Sequence, residues 1–168
     1  VGLVGSEMCI RDREVIEPEY RPSNCMIVYG SDRPRGVTSG YGGRGNTHAG
    51  CIDIIAGMSG RLARAKNPNT NETVFTNKSP ELDAARIYIS QKADIEDYFS
   101  LHDGKVGVSR AKSAIAIKAD DVRVIAREGI KLVTGTDIFN SQGIRMSVIS
   151  GIDLIAGTKG SELSLIHI

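Results

Sequence analysis

Apolar and polar residues alternate along much of the second half of this chain. Arg86-Ile87-Tyr88-Ile89-Ser90, Ala114-Ile115-Ala116-Ile117-Lys118, Val122-Arg123-Val124 and Ile130-Lys131-Leu132 all place apolar side chains at every other position. That is the period of a pleated strand whose two faces meet different surroundings. Asp, Gly or Glu-Gly bounds each run, so each is expected to be a short strand closed by a turn. The pairs Ile115/Ile117, Val122/Val124 and Ile130/Leu132 recur at intervals of seven and eight residues. This spacing predicts either successive coils of a β-helix or solenoid, or a meander. Asp94 to Phe99 reads as a helical turn in which Tyr98 and Phe99 are aromatic anchors.

The first half is less regular. Glu14 to Asn24 carries Pro18 and Pro22 and reads as an extended arm, followed by a strand at Cys25-Met26-Ile27-Val28-Tyr29. From Gly30 to Gly50 the density of glycine, with Pro34, predicts a long loop or series of turns. Ile52-Asp53-Ile54-Ile55-Ala56-Gly57 predicts a buried strand ended by glycine. Arg61 to Lys66 is expected to make one helical turn before the polar loop Asn67-Pro68-Asn69-Thr70-Asn71. The strand at 52–57 returns as Ile152-Asp153-Leu154-Ile155-Ala156-Gly157, one hundred residues on. It is either a duplicated strand or a common strand solution with an outward Asp closed by Ala-Gly.

Composition sharpens the fold class. With 19 glycines and 5% aromatic residues, a helical bundle is disfavoured and many short strands with tight turns are favoured. The expected class is mainly β, with short strands, glycine-rich turns and one or two short helical turns. A net charge of +1 implies no particular polyanionic partner. No run approaches the roughly 18 apolar residues of a membrane span. The two ends, Leu3 to Arg13 and Leu163 to Ile168, can be encoded by strings that are reverse complements of each other and match a sequencing-library adaptor. Residues 1–13 and 163–168 are therefore expected to be adaptor-derived and the remainder a fragment of a longer reading frame from shotgun or environmental DNA. Within it, 14–80 is expected to be an irregular glycine-rich arm and loop region with short strands, and 81–162 a β-rich repeat-like domain. Cys25 and Cys51, without a secretory signal, do not make a disulfide framework.

Few residues point to chemistry. Gly40-Tyr41-Gly42-Gly43-Arg44-Gly45 invites a phosphate-loop reading, but it runs into Asn46-Thr47-His48 and a strand, without the following helix that such a loop requires. Arg33, Arg35 and Arg44 beside Tyr41 resemble segments that bind single-stranded nucleic acid, with only one aromatic to stack on. His48 and Cys51 have a spacing compatible with metal ligands, and Cys25 is a third candidate. A closed zinc site needs four ligands, however, and only three copies of His48 around a trimer axis offer another route. A solvent-facing histidine and two reduced cysteines is the preferred reading, with no metal or cofactor expected. Asp53, Asp83, Asp94, Asp120, Asp121 and Asp153 are expected to be turn or outward strand residues, solvated and unpaired. No serine lies in a nucleophile elbow, and no enzymatic activity is expected.

The stretch from Gly40 through Gly57, then Asp83-Ala84-Ala85-Arg86-Ile87-Tyr88-Ile89-Ser90-Gln91-Lys92-Ala93-Asp94-Ile95, Ile117 to Arg123 and Gly129 to Gly135, resembles a virion structural protein of contractile-tailed, T-even-like phages of marine bacteria. The resemblance spans most of Asn24 to Gly160. The run from Ala114 to Thr134 is also similar to the β-helical spike segments of phage baseplate hubs and secretion-system spikes, where three chains wrap together. The resemblance implies a tail or baseplate component, assembled in the host cytoplasm, whose partners are other virion proteins and its own copies, a trimer being one form. Eight or so short strands with few aromatics make a thin core, and symmetric association would complete it. The residues expected in the core or interface are Ile87, Ile89, Ile115, Ile117, Val122, Val124, Ile130, Leu132, Ile152 and Leu154. A β-solenoid that binds or degrades surface polysaccharide is the alternative, needing a carboxylate pair or aromatic platform. Single-stranded nucleic-acid binding through the Arg/Gly-rich loop is the second alternative.

Overall fold

The computed structural model describes residues 14–15, 24–32, 39–44, 48–148, 151–157 and 164–167. The chain is mainly β. Its elements are β1 (Glu14–Val15), β2 (Cys25–Asp32), β3 (Ala49–Ala56), a 3-10 turn (Gly60–Leu62), β4 (Phe75–Thr76), β5 (Ala85–Ala93), α1 (Ile95–Phe99), β6 (Lys112–Lys118), β7 (Asp153–Ala156) and β8 (Ser164–His167). Strands β2, β3, β5 and β6 form one antiparallel sheet in that order, so β2 and β6 are its edges. Two small pairs, β1 with β4 and β7 with β8, complete the strands. Among the described residues no helix is long and apolar enough to cross a membrane.

The strands expected at 25–29, 52–57, 86–90 and 114–118 lie in β2, β3, β5 and β6, and the helical turn at 94–99 is α1. The helical turn expected at 61–66 is instead the shorter 3-10 turn at Gly60–Leu62. The adaptor-like segment 1–13, most of the arm at 14–24, and Arg33 and Arg35 lie outside the described residues. Ser164–His167, within the other adaptor-like segment, pairs in register with β7, Ile155 opposite Leu165.

One expectation is overturned. Val122-Arg123-Val124 and Ile130-Lys131-Leu132 form no strand, and no backbone hydrogen bond among the described residues involves 119–137. The segment leaves β6 as irregular, solvent-exposed chain, with Val124 and Ile125 at 73% and 85% exposure. No residue between Ala111 and Gly135 has positive φ. A tight hairpin back onto β6 needs such a residue, so alternation here is not converted into pairing within the chain. The chain returns to the start of β6 at the turn 140–143, where the Ser141 hydroxyl accepts from the Ser113 amide and the Gln142 side-chain amide donates to the Ala111 carbonyl.

The covered face of the sheet is polar at its centre. Asp53, Arg86, Asp32 and Ser90 are buried on it beside Cys51, Ile55 and Tyr88. The cover is made by α1, which brings Ile95, Tyr98 and Phe99 over Tyr88, and by residues 39–44 and 78–83. Tyr88, Tyr98 and Phe99 form a triangle with ring centroids 5.1, 5.2 and 6.0 Å apart, two tilted pairs and one edge-on. The glycines at 40 and 42 belong to this cover. A Cβ on Gly40 would lie 2.7 Å from the Tyr88 hydroxyl and from the Tyr98 ring, and one on Gly42 would overlap Asp94. Gly40 accepts from the Asp94 amide and Gly42 donates to the Lys92 carbonyl, so this loop packs as an added backbone layer. Close approach accounts for the glycines at these two positions without a phosphate.

Candidate assembly surface

The other face of the sheet is uncovered and apolar. Strand register aligns its side chains in two rows across all four strands. Tyr29, Ile52, Ile89 and Ile115 form one row, and Ile27, Ile54, Ile87 and Ile117 form the next. The period of two puts each on the same side because pairing partners in an antiparallel ladder share a face. Exposure is highest on the edge strands, 73% at Ile27 and 68% at Ile115, and falls to about half that at Ile54 and Ile87, flanked by neighbouring strands. Ile89 is half-buried. Eight large apolar residues, seven of them exposed, lie side by side on this face, whereas soluble monomers usually keep contiguous apolar surface to a few hundred Å².

The sequence-derived candidates divide accordingly. Ile87, Ile89, Ile115 and Ile117 sit together in this patch. Val122, Val124, Ile130 and Leu132 project from the unpaired segment beyond β6, all exposed. Ile152 is half-buried and Leu154 exposed, at and beside β7. None of the ten belongs to the buried core, which is built from Cys51, Tyr88, Ala93 and Ile95 with Ile55, Met58 and Ala49. Alternation marked strands at 86–90 and 114–118 but not at 122–124 and 130–132, and of the two places expected for these residues, core or interface, the core is built from others. Sequence reasoning missed Ile27, Tyr29, Ile52 and Ile54. Ile52-Asp53-Ile54 alternates, but residues 25–29 are apolar throughout and show no facing, so the strand register was needed to join these residues to β5 and β6.

What fixes the orientation is the ionic network on the covered face. Arg86 donates from Nε to Asp53 Oδ1 at 2.7 Å, from its terminal nitrogens to Asp53 Oδ2 and, at 3.3 Å, to Asp83 Oδ2, and to the Tyr98 hydroxyl at 2.8 Å. Lys78 Nζ reaches Asp53 Oδ2 at 3.2 Å. Asp83 also accepts from the amides of Ser59 and Ser79. Within this cluster two cations face two carboxylates, all four buried, and a third buried carboxylate, Asp32, lies beside it. Burial opposes the charge on Arg86, and the hydrogen bonds and charge interactions with Asp53 and Tyr98 together outweigh it, raising its pKa above the ordinary value. The guanidinium also lies 5.3 to 5.9 Å from the centroids of Tyr98, Tyr88 and Phe99.

Beside this network Asp32 accepts from the hydroxyls of Tyr88 at 2.6 Å and Ser90 at 2.9 Å. Burial first, then the Asp32 charge, pushes the Cys51 thiol up to about 12. Burial likewise raises the Tyr88 and Tyr98 phenols above their ordinary range. A thiol so held is protonated at neutral pH and is no nucleophile.

The carboxylates expected to be solvated therefore split. Asp53 and Asp83 are buried and ion-paired. Asp94 accepts from the Ala111 amide, and Asp153 accepts from the amides of Lys105 and Val106. The Val106 bond foremost, with help from His167, holds the Asp153 pKa below the ordinary carboxylate value. Asp120 and Asp121 are exposed as expected. Asp53 and Asp153 occupy the same place in the repeated hexapeptide. Both turn onto hydrogen-bond donors while the next residue, Ile54 or Leu154, faces solvent, which corrects the expectation of an outward Asp.

Cys25 pairs with Ala56 and Cys51 with Gly30, at opposite ends of the β2–β3 ladder and on opposite faces. His48 is exposed, and among the described residues no group of three or more His, Cys, Asp or Glu is placed to hold a metal ion. Tyr41 lies beneath the Lys92 ammonium, 4.9 Å from the ring centroid, and accepts its hydrogen bond. Comparison with protein-family models, with curated proteins and with solved structures returned no match.

Proposed function

We propose that this protein is a structural component of a tailed-phage particle, in its tail or baseplate, and that it works by assembly with its own copies and other virion proteins and not by catalysis. The observation that carries the assembly reading is the two-row apolar face of the β2–β3–β5–β6 sheet. A face of this size is on the scale of the roughly 800 Å² that one partner contributes to a stable interface. Covering it would stabilise a complex by about 1 kcal/mol or more for each large side chain taken out of water, before the cost of association. The ionisable groups most removed from solvent are consumed by one another, which suits a scaffold. The sequence resemblance from Asn24 to Gly160 supplies the phage context.

The reading is tested on particles. Antibodies against the sheet-bearing part of the chain should label the tail or baseplate of intact contractile-tailed phages whose genome carries this reading frame. Protein found only in the soluble lysate, with unlabelled particles, would overturn it.

A further inference from the structure

We infer that the edge of β6 from Ala114 to Lys118, beyond the Ser113 amide that bonds Ser141, is a docking site for an extended strand, and that its occupant is the 121–133 segment of a second copy of this chain. The inference rests on the assembly reading and names its partner and its contact.

The edge offers apolar ground on both sides. On the uncovered face Ile115 and Ile117 end the two apolar rows. On the other side a groove of about 510 Å³ runs between β6 and α1, lined by Ile95, Phe99, Leu101 and Ala116 among others. A strand added to β6 would place alternate side chains on the face and in the groove.

The segment after β6 has the matching pattern. Val122, Val124, Ile130 and Leu132 share one parity, and Ile125 and Val133 have the other. The adjacent pairs Val124-Ile125 and Leu132-Val133 would point to opposite sides of a strand, so only an edge that is apolar on both sides can take them. Most of the sheet offers one apolar side; the β6 edge offers two. Arg123 shares the parity of Ile125 and would meet a groove rim that carries Glu81 and Glu96. Among the described residues of its own chain Arg123 pairs with the neighbouring Asp121, 3.5 Å away and exposed.

The segment does not serve its own edge. It leaves β6 without a positive-φ residue before Gly135, and its backbone makes no hydrogen bond among the described residues. A stretch of this length without secondary structure is uncommon inside a domain unless something else orders it. A second copy supplies both an edge for the segment and a segment for the edge, so the exchange is reciprocal.

The test uses the full chain with Cys9→Ser and Cys25→Ser, leaving only the buried Cys51, and mixes one sample carrying Ile117→Cys with others carrying one introduced cysteine each, across positions 122–126. Oxidation of the mixtures should give a disulfide joining the two differently substituted chains at alternate positions, and Ile125→Asp with Val133→Asp should weaken self-association about tenfold or more. Circular dichroism of the doubly substituted chain should retain its β signal. If the chain self-associates but no mixed disulfide forms and the double substitution changes nothing, this inference fails and the assembly reading stands. If the unsubstituted chain is monomeric at tens of micromolar, both fail.

Discussion

Asp53 shows how a single residue sets which way the sheet faces. Its carboxylate accepts from Arg86 and neutralises Lys78 at a site closed to solvent. Replacing it by asparagine leaves Arg86 and Lys78 opposed by Asp83 alone, and a broken buried pair costs about 3–5 kcal/mol. Asp53→Asn is expected to lower the unfolding free energy in urea by that order, while Asp120→Asn, at an exposed site, changes it by less than about 0.5 kcal/mol. A second residue-scale consequence is alkaline. The folded Cys51 thiol titrates near 12 and the unfolded one near 9, so the stability it contributes is complete below 9. That contribution is lost as pH rises from 9 to 12, at roughly 1 kcal/mol per pH unit, because the unfolded chain releases its proton first. Stability measured across this window should fall less steeply in Cys51→Ala than in the parent chain.

At the scale of elements, strand identity was legible and strand facing was not. The period of two located β5 and β6 because it follows from the pleat whichever side is buried, and short apolar runs located β2 and β3. Choosing the side required knowing that Arg86 and Asp53, thirty-three positions apart, would meet and neutralise each other. The same limit explains 122–124 and 130–132, where alternation reports a potential to pair but not a partner. The use of the glycine loop as a close-packed layer over Tyr88 depends on long-range contacts that spacing does not encode. The β7–β8 pair is peripheral: β7 is tied to the body by the bonds of Asp153 to the 105–106 backbone, and β8 pairs with β7 alone. Deleting 163–168 is therefore expected to shift the melting temperature of the main sheet by no more than about 2 °C, measured by circular dichroism. A larger loss would show that β8 supports the body.

For the whole molecule, the two faces of one sheet have separate tasks. The covered face spends its polar groups on one another, closing an ionic and aromatic cluster beneath α1. The uncovered face presents Tyr29, Ile52, Ile89, Ile115 and Ile27, Ile54, Ile87, Ile117 in register, and beside it an exposed segment continues the apolar pattern. The proposed assembly follows from this distribution, since exposed apolar sheet with an unpaired edge invites pairing with other chains. The most direct measurement is light scattering over a concentration series to tens of micromolar, comparing the chain with Ile54→Lys/Ile87→Lys. The account predicts a mass that is a multiple of the 18.0 kDa chain for the parent and a single-chain mass for the substituted protein, with its β signal retained. A parent chain that stays monomeric, or an assembly indifferent to both lysines, would contradict it.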